Sequence, residues 1–286
     1  MTTARVEAAA LQGYHEVKGP SALGGSWRRF WHLTWTLAVT EYKLTYFGSA
    51  LGYFWTLMRP LLLFGVLYTV FSKIFAIGSK VYDYPVVLLM NIMLWTYFTE
   101  VTSAAVGCVV NRENLVRKIH FPRMAIPLSV SLTGVFNLIA NLVAVFIFLA
   151  IYGIHPRPSW LLLPFLLIPM IAFATGVGMI LSALFVRYRD VGPIWAVGQT
   201  ALFYATPILY VIELVPNSAQ AIMMANPIAT NLEYIRKAMI DSTAVSPATV
   251  LGGPIGLLIP IGILLAVCGF GFWLFNHEAP RIAEDL

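Results

Sequence analysis

Long apolar runs alternate with short polar segments along most of this chain. Six runs stand out, at about residues 56–77, 85–110, 125–152, 161–186, 193–212 and 254–275. A helix of roughly 20 apolar residues is long enough to cross a hydrocarbon core of about 30 Å. A membrane barrel would instead give alternating segments of about ten residues. The pattern therefore predicts an all-α, polytopic membrane protein with six transmembrane helices.

The segment before these runs, residues 27–48, has helical periodicity but is more polar. At 100° per residue, Arg29 and Lys43 fall on one narrow arc, whereas Trp27 and Trp31 belong to a broad apolar face. This pattern is typical of an amphipathic helix that lies in the membrane interface. The alternative is a poor spanning helix, against which the charged residues near its end argue.

The distribution of basic residues predicts the orientation. Six spans place both termini on the same side of the membrane. Thirteen of the 18 Lys and Arg residues then lie on that side. The positive-inside rule places that side in the cytoplasm. We therefore expect a multi-pass protein of the cell membrane with both termini cytoplasmic, a flexible tail over residues 1–26, the interfacial helix over 27–48 and a six-span domain over 49–286.

The mixed segment 213–250 then lies on the outer side, before the last span. Its helical pieces, 219–225 and 228–239, are too short to cross a membrane. They are predicted to be re-entrant or interfacial helices.

Composition supports a membrane protein and gives little support for catalysis. Hydrophobic residues make up 59% of the chain and charged residues only 11%, against about 25% charged in soluble domains. The net charge of +5 is spread over short loops, so nucleic acid is not an expected partner. The five histidines are isolated, so we expect no metal site. We also find no paired carboxylates and no phosphate-binding loop, so no cofactor is expected in this chain and any ATPase must be a separate polypeptide.

Polar side chains follow one face of the third predicted span. Ser129, Thr133, Asn137 and Asn141 are each four residues apart, which aligns them along the helix. Such groups must face protein or a water-filled path, because unsatisfied polar groups in hydrocarbon are costly. Two interpretations stay open: hydrogen bonds between helices, or the wall of a translocation path.

Glu100, in the second predicted span, is the clearest carboxylate at membrane depth. An ionisable residue there is a functional candidate by default, although it could also reach water near the end of the span. Trp95, Phe203 and Tyr204 are aromatic residues that either stack on sugar rings along a path or pack between helices. The close pairs Gly176/Gly178 and Gly252/Gly256 are expected to let helices approach one another.

A basic, half-apolar island, Glu113–Arg123, interrupts the hydrophobic pattern between the second and third spans. The simpler interpretation is a cytoplasmic loop that is basic only because of the positive-inside rule. The functional interpretation is a docking element for a soluble partner. A short helix there would present Leu115 and Val116 as an apolar ridge, with Arg117 and Lys118 beside it.

Several segments in order resemble the membrane subunit of type-2 ABC exporters of polysaccharides, the O-antigen, teichoic acid and capsule permeases. These segments are Leu51-Gly-Tyr-Phe-Trp55, Arg59-Pro-Leu-Leu62, Asn114-Leu-Val-Arg-Lys-Ile-His-Phe-Pro-Arg123, Leu128-Ser129, Arg187-Tyr-Arg-Asp-Val191, Thr206-Pro-Ile-Leu-Tyr210 and Asn226-Pro227. The resemblance covers about residues 27–283 and is nearest to actinobacterial exporters of lipid-linked galactan. Arg59 stands where relatives often have glutamine, so the resemblance assigns it no role.

The resemblance implies a homodimer joined to two copies of a separate ABC ATPase, which binds ATP and Mg²⁺, and a lipid-linked polysaccharide as substrate. It also implies a coupling helix that seats in a groove of the ATPase. The residues assigned to docking in this way are Asn114, Leu115, Val116, Arg117, Lys118 and Phe121. The resemblance further implies that the short outer helices serve as an exit gate.

The expected function is thus that of a transport subunit rather than an enzyme. One alternative is a type-2 ABC exporter of drugs or small lipids, which transport assays with the two kinds of substrate would separate. A second alternative is an intramembrane glycan-processing enzyme, which would require ATP-independent turnover by this chain alone.

Overall fold

The computed structural model describes residues 27–46, 52–74, 81, 83–113 and 122–278, which are mostly helical and contain no strand. The helices are α1 (Trp27–Tyr46), α2 (Gly52–Tyr68), α3 (Tyr84–Val106), α4 (Ala125–Ile151), α5 (Leu163–Arg187), α6 (Val191–Ala205), α7 (Asn217–Met224), α8 (Pro227–Met239), α9 (Pro247–Val250) and α10 (Leu258–Glu278). Short tight turns precede α5 at Pro158–Leu162 and α10 at Pro254–Leu257. The predicted tail and most of the Glu113–Arg123 island lie outside the described residues.

Five helices within the described residues are long and apolar enough to cross a membrane. They are Phe54–Ser72, Tyr84–Val106, Ala125–Ile151, Pro158–Arg187 and Pro254–Glu278. The all-α polytopic class is therefore confirmed. The predicted fifth span instead contains α6, whose 15 residues extend about 22 Å at 1.5 Å per residue. The count of six spans stays a prediction.

The chain leaves the helical conformation after α6 because Pro207 disfavours it at Thr206, which is extended with φ −104° and ψ 139°. The following turn is fixed from α3. The Tyr84 hydroxyl donates to the Leu209 carbonyl oxygen at 2.8 Å, and the Asn91 amide donates to the Pro207 carbonyl oxygen at 3.3 Å. The polar backbone of this break is thus partly satisfied by the central helix.

Helix α3 forms the centre of the described bundle. In its most apolar window 78% of residues are buried, against 11% for α2 and 11% for α10. It packs against α2, α4, α5 and α6, so a position on α3 can contact most neighbouring walls.

Helix α10 lies against α5 through a close glycine contact. A Cβ added at Gly271 would lie 2.5 Å from the Gly176 carbonyl oxygen, and one added at Gly178 would lie 2.9 Å from the Ala105 Cβ atom. The prediction for Gly176 and Gly178 is therefore confirmed. It was wrong for the pair at 252 and 256, because a Cβ at Gly256 would meet the backbone of Leu251 in its own turn.

Two short helices occur where the sequence predicted them, as α7 and α8. Helix α8 begins at Pro227, and the Asn226 side chain accepts a hydrogen bond from the Ile228 N–H at 3.0 Å. An asparagine cap followed by proline is a favoured helix start. Their placement relative to the membrane stays a prediction.

Helix α1 is a 20-residue helix that packs along α4. It buries Phe30, Thr34 and Ala38, a stripe with a spacing of four. Trp27 and Trp31 are exposed in this chain. The broad tryptophan-rich face is therefore available to lipid, as the predicted interfacial role requires, while the narrower stripe holds α1 to the bundle.

Candidate functional site

A cavity of about 910 Å³ lies between α1, α2, α3 and α4. Its lining combines charged, hydroxyl, amide and aromatic side chains. These polar and aromatic residues are Glu41, Thr45, Tyr46, Trp55, Thr56, Arg59, Thr99, Glu100, Ser103, Asn111, Arg112, Thr133 and Asn137. The cavity is near the upper end of the 300–1,000 Å³ that is usual for ligand pockets, which are mostly apolar. This cavity differs from them because both signs of charge line it.

Glu100 takes part in a hydrogen-bonded row on one wall of the cavity. The Asn137 amide donates to the Glu100 carboxylate at 3.3 Å, and the Tyr46 hydroxyl donates to the Asn137 side-chain oxygen at 2.9 Å. Arg59 lies close enough to Glu100 for an electrostatic attraction. Residues from α1, α2, α3 and α4 thus meet at one carboxylate.

A second polar contact joins the end of α3 to α1 and α4. Arg112 Nη2 lies 2.7 Å from Glu41 Oε2, and Arg112 Nη1 donates to the Ser129 hydroxyl oxygen at 3.2 Å. Glu41, near the end of α1, therefore pairs with Arg112, a basic residue beside the 113–123 segment. The two residues are 71 positions apart in sequence.

The polar stripe of α4 divides between two environments. Thr133 and Asn137 line the cavity, and the Thr133 hydroxyl also donates to the Ala38 carbonyl oxygen at 3.2 Å. Ser129 is buried behind them, where it contacts Arg112. Asn141 is fully buried and does not line the cavity. The first three residues therefore connect helices, and two of them also face open space.

The three aromatic residues predicted beside Glu100 do not line this cavity. Trp95 precedes Glu100 by five residues, which turns it about 140° around α3. It is buried against Phe203, with ring centroids 5.7 Å apart, and Tyr204 is exposed next to Phe203. Their expected stacking on sugar rings stays a prediction and would require a different part of the molecule.

Sequence reasoning missed several lining residues, among them Arg59, Trp55 and Tyr46. Arg59 carries a charge within the first span, a signal that marks functional candidates in membranes. Tyr46 and Trp55 carry no comparable signal, because aromatic residues are common at membrane interfaces.

The predicted docking residues Asn114, Leu115, Val116, Arg117, Lys118 and Phe121 lie outside the described residues. The structure describes both flanks of this segment. On one side a tight turn, Val110–Arg112, follows α3. On the other side Arg123 is buried, with 6% of its surface exposed, immediately before α4. Burial lowers the pKa of Arg123.

A separate charged cluster ties together the segment between α6 and α10. Arg236 Nη1 lies 2.8 Å from Glu213 and 2.9 Å from Glu233, and Arg236 Nη2 lies 3.7 Å from Asp241. The backbone N–H groups of Ile212 and Val245 donate to Glu233 and Glu213, respectively, at 3.3 Å each.

The two glutamates of this cluster differ in pKa. Burial would raise the pKa of Glu213, but hydrogen bonds and the charge of Arg236 outweigh it, so that pKa lies below its ordinary value of 4.5. Burial dominates at Glu233 and raises its pKa above 4.5, although Arg236 opposes the rise. Repulsion from Glu213 adds to the rise.

A family model described as ABC-2 type transporter matches residues 32–240. The chain belongs to the ABC-2 type transporter family. An ABC-2 membrane protein is a transport subunit and not an enzyme, and the family implies a separate ATPase partner. Both statements confirm what the resemblance of the sequence implied. The match includes most of α1, all of α2 to α8 and every residue that lines the cavity.

The ABC-2 chain is similar along most of its length to proteins named O-antigen export system permease protein RfbA. A relative from Klebsiella pneumoniae is 28% identical over 247 residues, which is 86% of this chain and 92% of the relative. A relative from Myxococcus xanthus is 28% identical over 200 residues, which is 68% of this chain and 75% of the relative.

Proposed function

We propose that this chain is the membrane subunit of an ATP-driven exporter of lipid-linked polysaccharide. In this proposal two copies of the chain and two ATPase subunits move the glycan from the cytoplasmic to the outer side. O-antigen, teichoic acid and galactan carriers are the substrate types that the proposal covers.

The observation that carries the proposal is the mixed chemistry of the 910 Å³ cavity. Sugars require hydrogen-bond donors and acceptors, which Asn137, Thr133 and Glu100 supply. A sugar ring also stacks on aromatic faces, which Trp55 supplies. Arginine forms charge-assisted pairs with phosphate, so Arg59 suits the phosphate of a lipid carrier. A purely apolar drug or lipid would leave these polar side chains without hydrogen-bond partners, which costs free energy.

The names of the similar proteins support the same substrate class. The Klebsiella pneumoniae and Myxococcus xanthus relatives are named as permeases of O-antigen export. The basic residues of the loops favour a cytoplasmic position for both termini and for the 113–123 segment. A substrate entering the cavity would then come from the cytoplasmic side.

Transport in reconstituted vesicles tests the proposal. Permease and ATPase together should move a lipid-linked polysaccharide in an ATP-dependent manner, and a small fluorescent amphiphile should stay where it was placed. Vesicles that carry the permease without the ATPase are the control, because transport there would not depend on ATP. Export of the amphiphile and not of the glycan would replace the proposal with the small-lipid alternative.

The proposal assigns ATPase docking to Leu115 and Val116, the apolar ridge of the 113–123 segment. Introducing Leu115→Asp together with Val116→Asp places two charges on this ridge and should abolish co-purification of the ATPase. The matched control, Arg117→Gln with Lys118→Gln, should keep the complex, because peripheral charges set the association rate more than the affinity. Wild-type co-purification of the aspartate double variant would refute the assignment.

A further inference from the structure

Arg112 connects three parts of the molecule from a single position. It ends the turn after α3 and directly precedes the 113–123 segment, to which the proposed function assigns docking. Its guanidinium contacts Glu41 of α1 at 2.7 Å and Ser129 of α4 at 3.2 Å. Only 16% of the Arg112 side chain is exposed, so neighbouring residues hold it in place.

Both members of this ion pair also line the cavity. Glu41 and Tyr46 of α1 both line the cavity, and the Tyr46 hydroxyl donates to the Asn137 side-chain oxygen at 2.9 Å. Asn137 in turn donates to Glu100. Helix α1 is therefore held at two points, by Arg112 at Glu41 and by Asn137 at Tyr46, and the second point leads to the Glu100 carboxylate on the cavity wall.

The far flank of the same segment is also attached to α1. Met124, which follows Arg123, belongs to a buried apolar cluster that includes Phe30 of α1. Apolar contacts of this kind tolerate sliding, because dispersion and burial have no preferred direction. A short arginine–carboxylate contact has a defined geometry. Of the two attachments, the ion pair is the one suited to transmit a displacement in a fixed direction.

We infer that Glu41 and Arg112 are a positioning pair that couples ATPase docking to the shape of the cavity. The inference rests on the proposed function, because it takes the 113–123 segment as the docking element. Movement of this segment displaces Arg112, Arg112 carries Glu41 and α1 with it, and α1 changes the wall formed by Tyr46 and Asn137. Breaking the pair should leave the complex assembled but let ATP hydrolysis proceed without matching transport.

Charge reversal tests the pair in the reconstituted complex. Glu41→Arg and Arg112→Glu each place like charges opposite one another, and the double variant restores opposite charges in exchanged positions. The measurement is the number of glycans transported for each ATP hydrolysed. Each single variant should lower this ratio about fivefold or more, the lower end of ordinary coupling effects. The double variant should recover most of the loss.

Two controls separate coupling from folding. Arg187→Glu reverses an exposed charge at the end of α5 and should keep the wild-type ratio. Glu41→Gln keeps the shape of the side chain and should lower the ratio without loss of protein or of ATPase binding. This neutral variant still tests the pair if a charge reversal prevents insertion.

The outcomes decide between the pair and the proposed function. Single variants with the wild-type ratio, or a double variant no better than the singles, would overturn the inference while wild-type glycan transport still supports the function. A wild-type complex that moves no glycan counts against the proposed function instead. A loss of ATPase binding in Glu41→Gln would also overturn the inference, because the pair would then serve assembly.

Discussion

Arg112 and Arg236 each bind carboxylates, but they do so in very different surroundings. Arg112 pairs with the carboxylate of Glu41, which is 49% exposed and lines a large cavity. Arg236 meets Glu213, Glu233 and Asp241, and its own side chain is only 5% exposed. One arginine therefore has access to water and to any occupant of the cavity, whereas the other is enclosed.

The difference separates an ion pair that contributes little to stability from a cluster on which the fold depends. Removing an ion from water costs several kcal/mol, so an enclosed charge must keep its partners. Arg236 also reaches across the chain, because Glu213 and Glu233 bind the backbone at Val245 and Ile212. It fixes the short helices before α10 as one unit. Glu41 is half-exposed and can be hydrated without Arg112, so loss of this pair should affect coupling far more than it affects the stability of the fold.

The largest predicted effect is that of Arg236→Met. This change leaves Glu213, Glu233 and Asp241 without their shared cation, and breaking such a buried pair costs about 3–5 kcal/mol. Thermal unfolding of the detergent-solubilised protein should show a correspondingly large loss. Lys237→Met is a neighbouring control, which removes one hydrogen bond to the Ala244 carbonyl oxygen and should cost far less.

The same substitution at the other arginine tests the comparison directly. Arg112→Met leaves the half-exposed Glu41 free to be hydrated, and exposed pairs contribute only about 0.2–1 kcal/mol. The unfolding transition should therefore stay near that of the wild type. If Arg112→Met and Arg236→Met lowered the unfolding temperature equally, the two arginines would contribute equally to stability and the comparison would fail.

Sequence alone predicted the elements better than it predicted these contacts. Hydrophobic runs mark spans because each residue contributes its own transfer free energy, and five predicted spans correspond to helices of the described bundle. Within the run at 193–212 the helix ends at Ala205, a break that hydropathy does not register because it carries no information on backbone geometry. Thr206-Pro207 was present as a signal, since a proline disfavours helix at the residue before it.

The candidate site was harder to predict because its residues come from distant parts of the chain. The spacing of Thr133 and Asn137 and the charge of Glu100 at membrane depth identified part of the cavity wall. Periodicity could not pair Glu41 with Arg112, since the turn Val110–Arg112 after α3 sets that contact. Arg236 had been counted only as an outer basic residue, and its burial depends on how the segment from 212 to 245 folds back.

A smaller effect concerns the pH dependence of the Arg236 cluster. The pKa of Glu213 lies below 4.5 in the folded protein, so Glu213 stabilises the fold at higher pH. That contribution is lost as the pH falls through the lowered pKa. The pKa of Glu233 is raised, so its contribution has the opposite sign. It is present below 4.5 and is lost as the pH rises through the raised value.

Glu213→Gln should therefore remove the loss of stability in acid. Thermal unfolding between about pH 7 and about pH 3 should give the largest difference between wild type and variant above pH 4.5, and the difference should shrink below it. Glu233→Gln is the matched control. It removes a group that stabilises the fold at low pH, so this variant should lose more stability in acid than the wild type does. If the Glu213→Gln protein loses stability in acid as steeply as the wild type, Arg236 does not stabilise the charged form of Glu213. The contrast with the half-exposed Glu41 would then disappear.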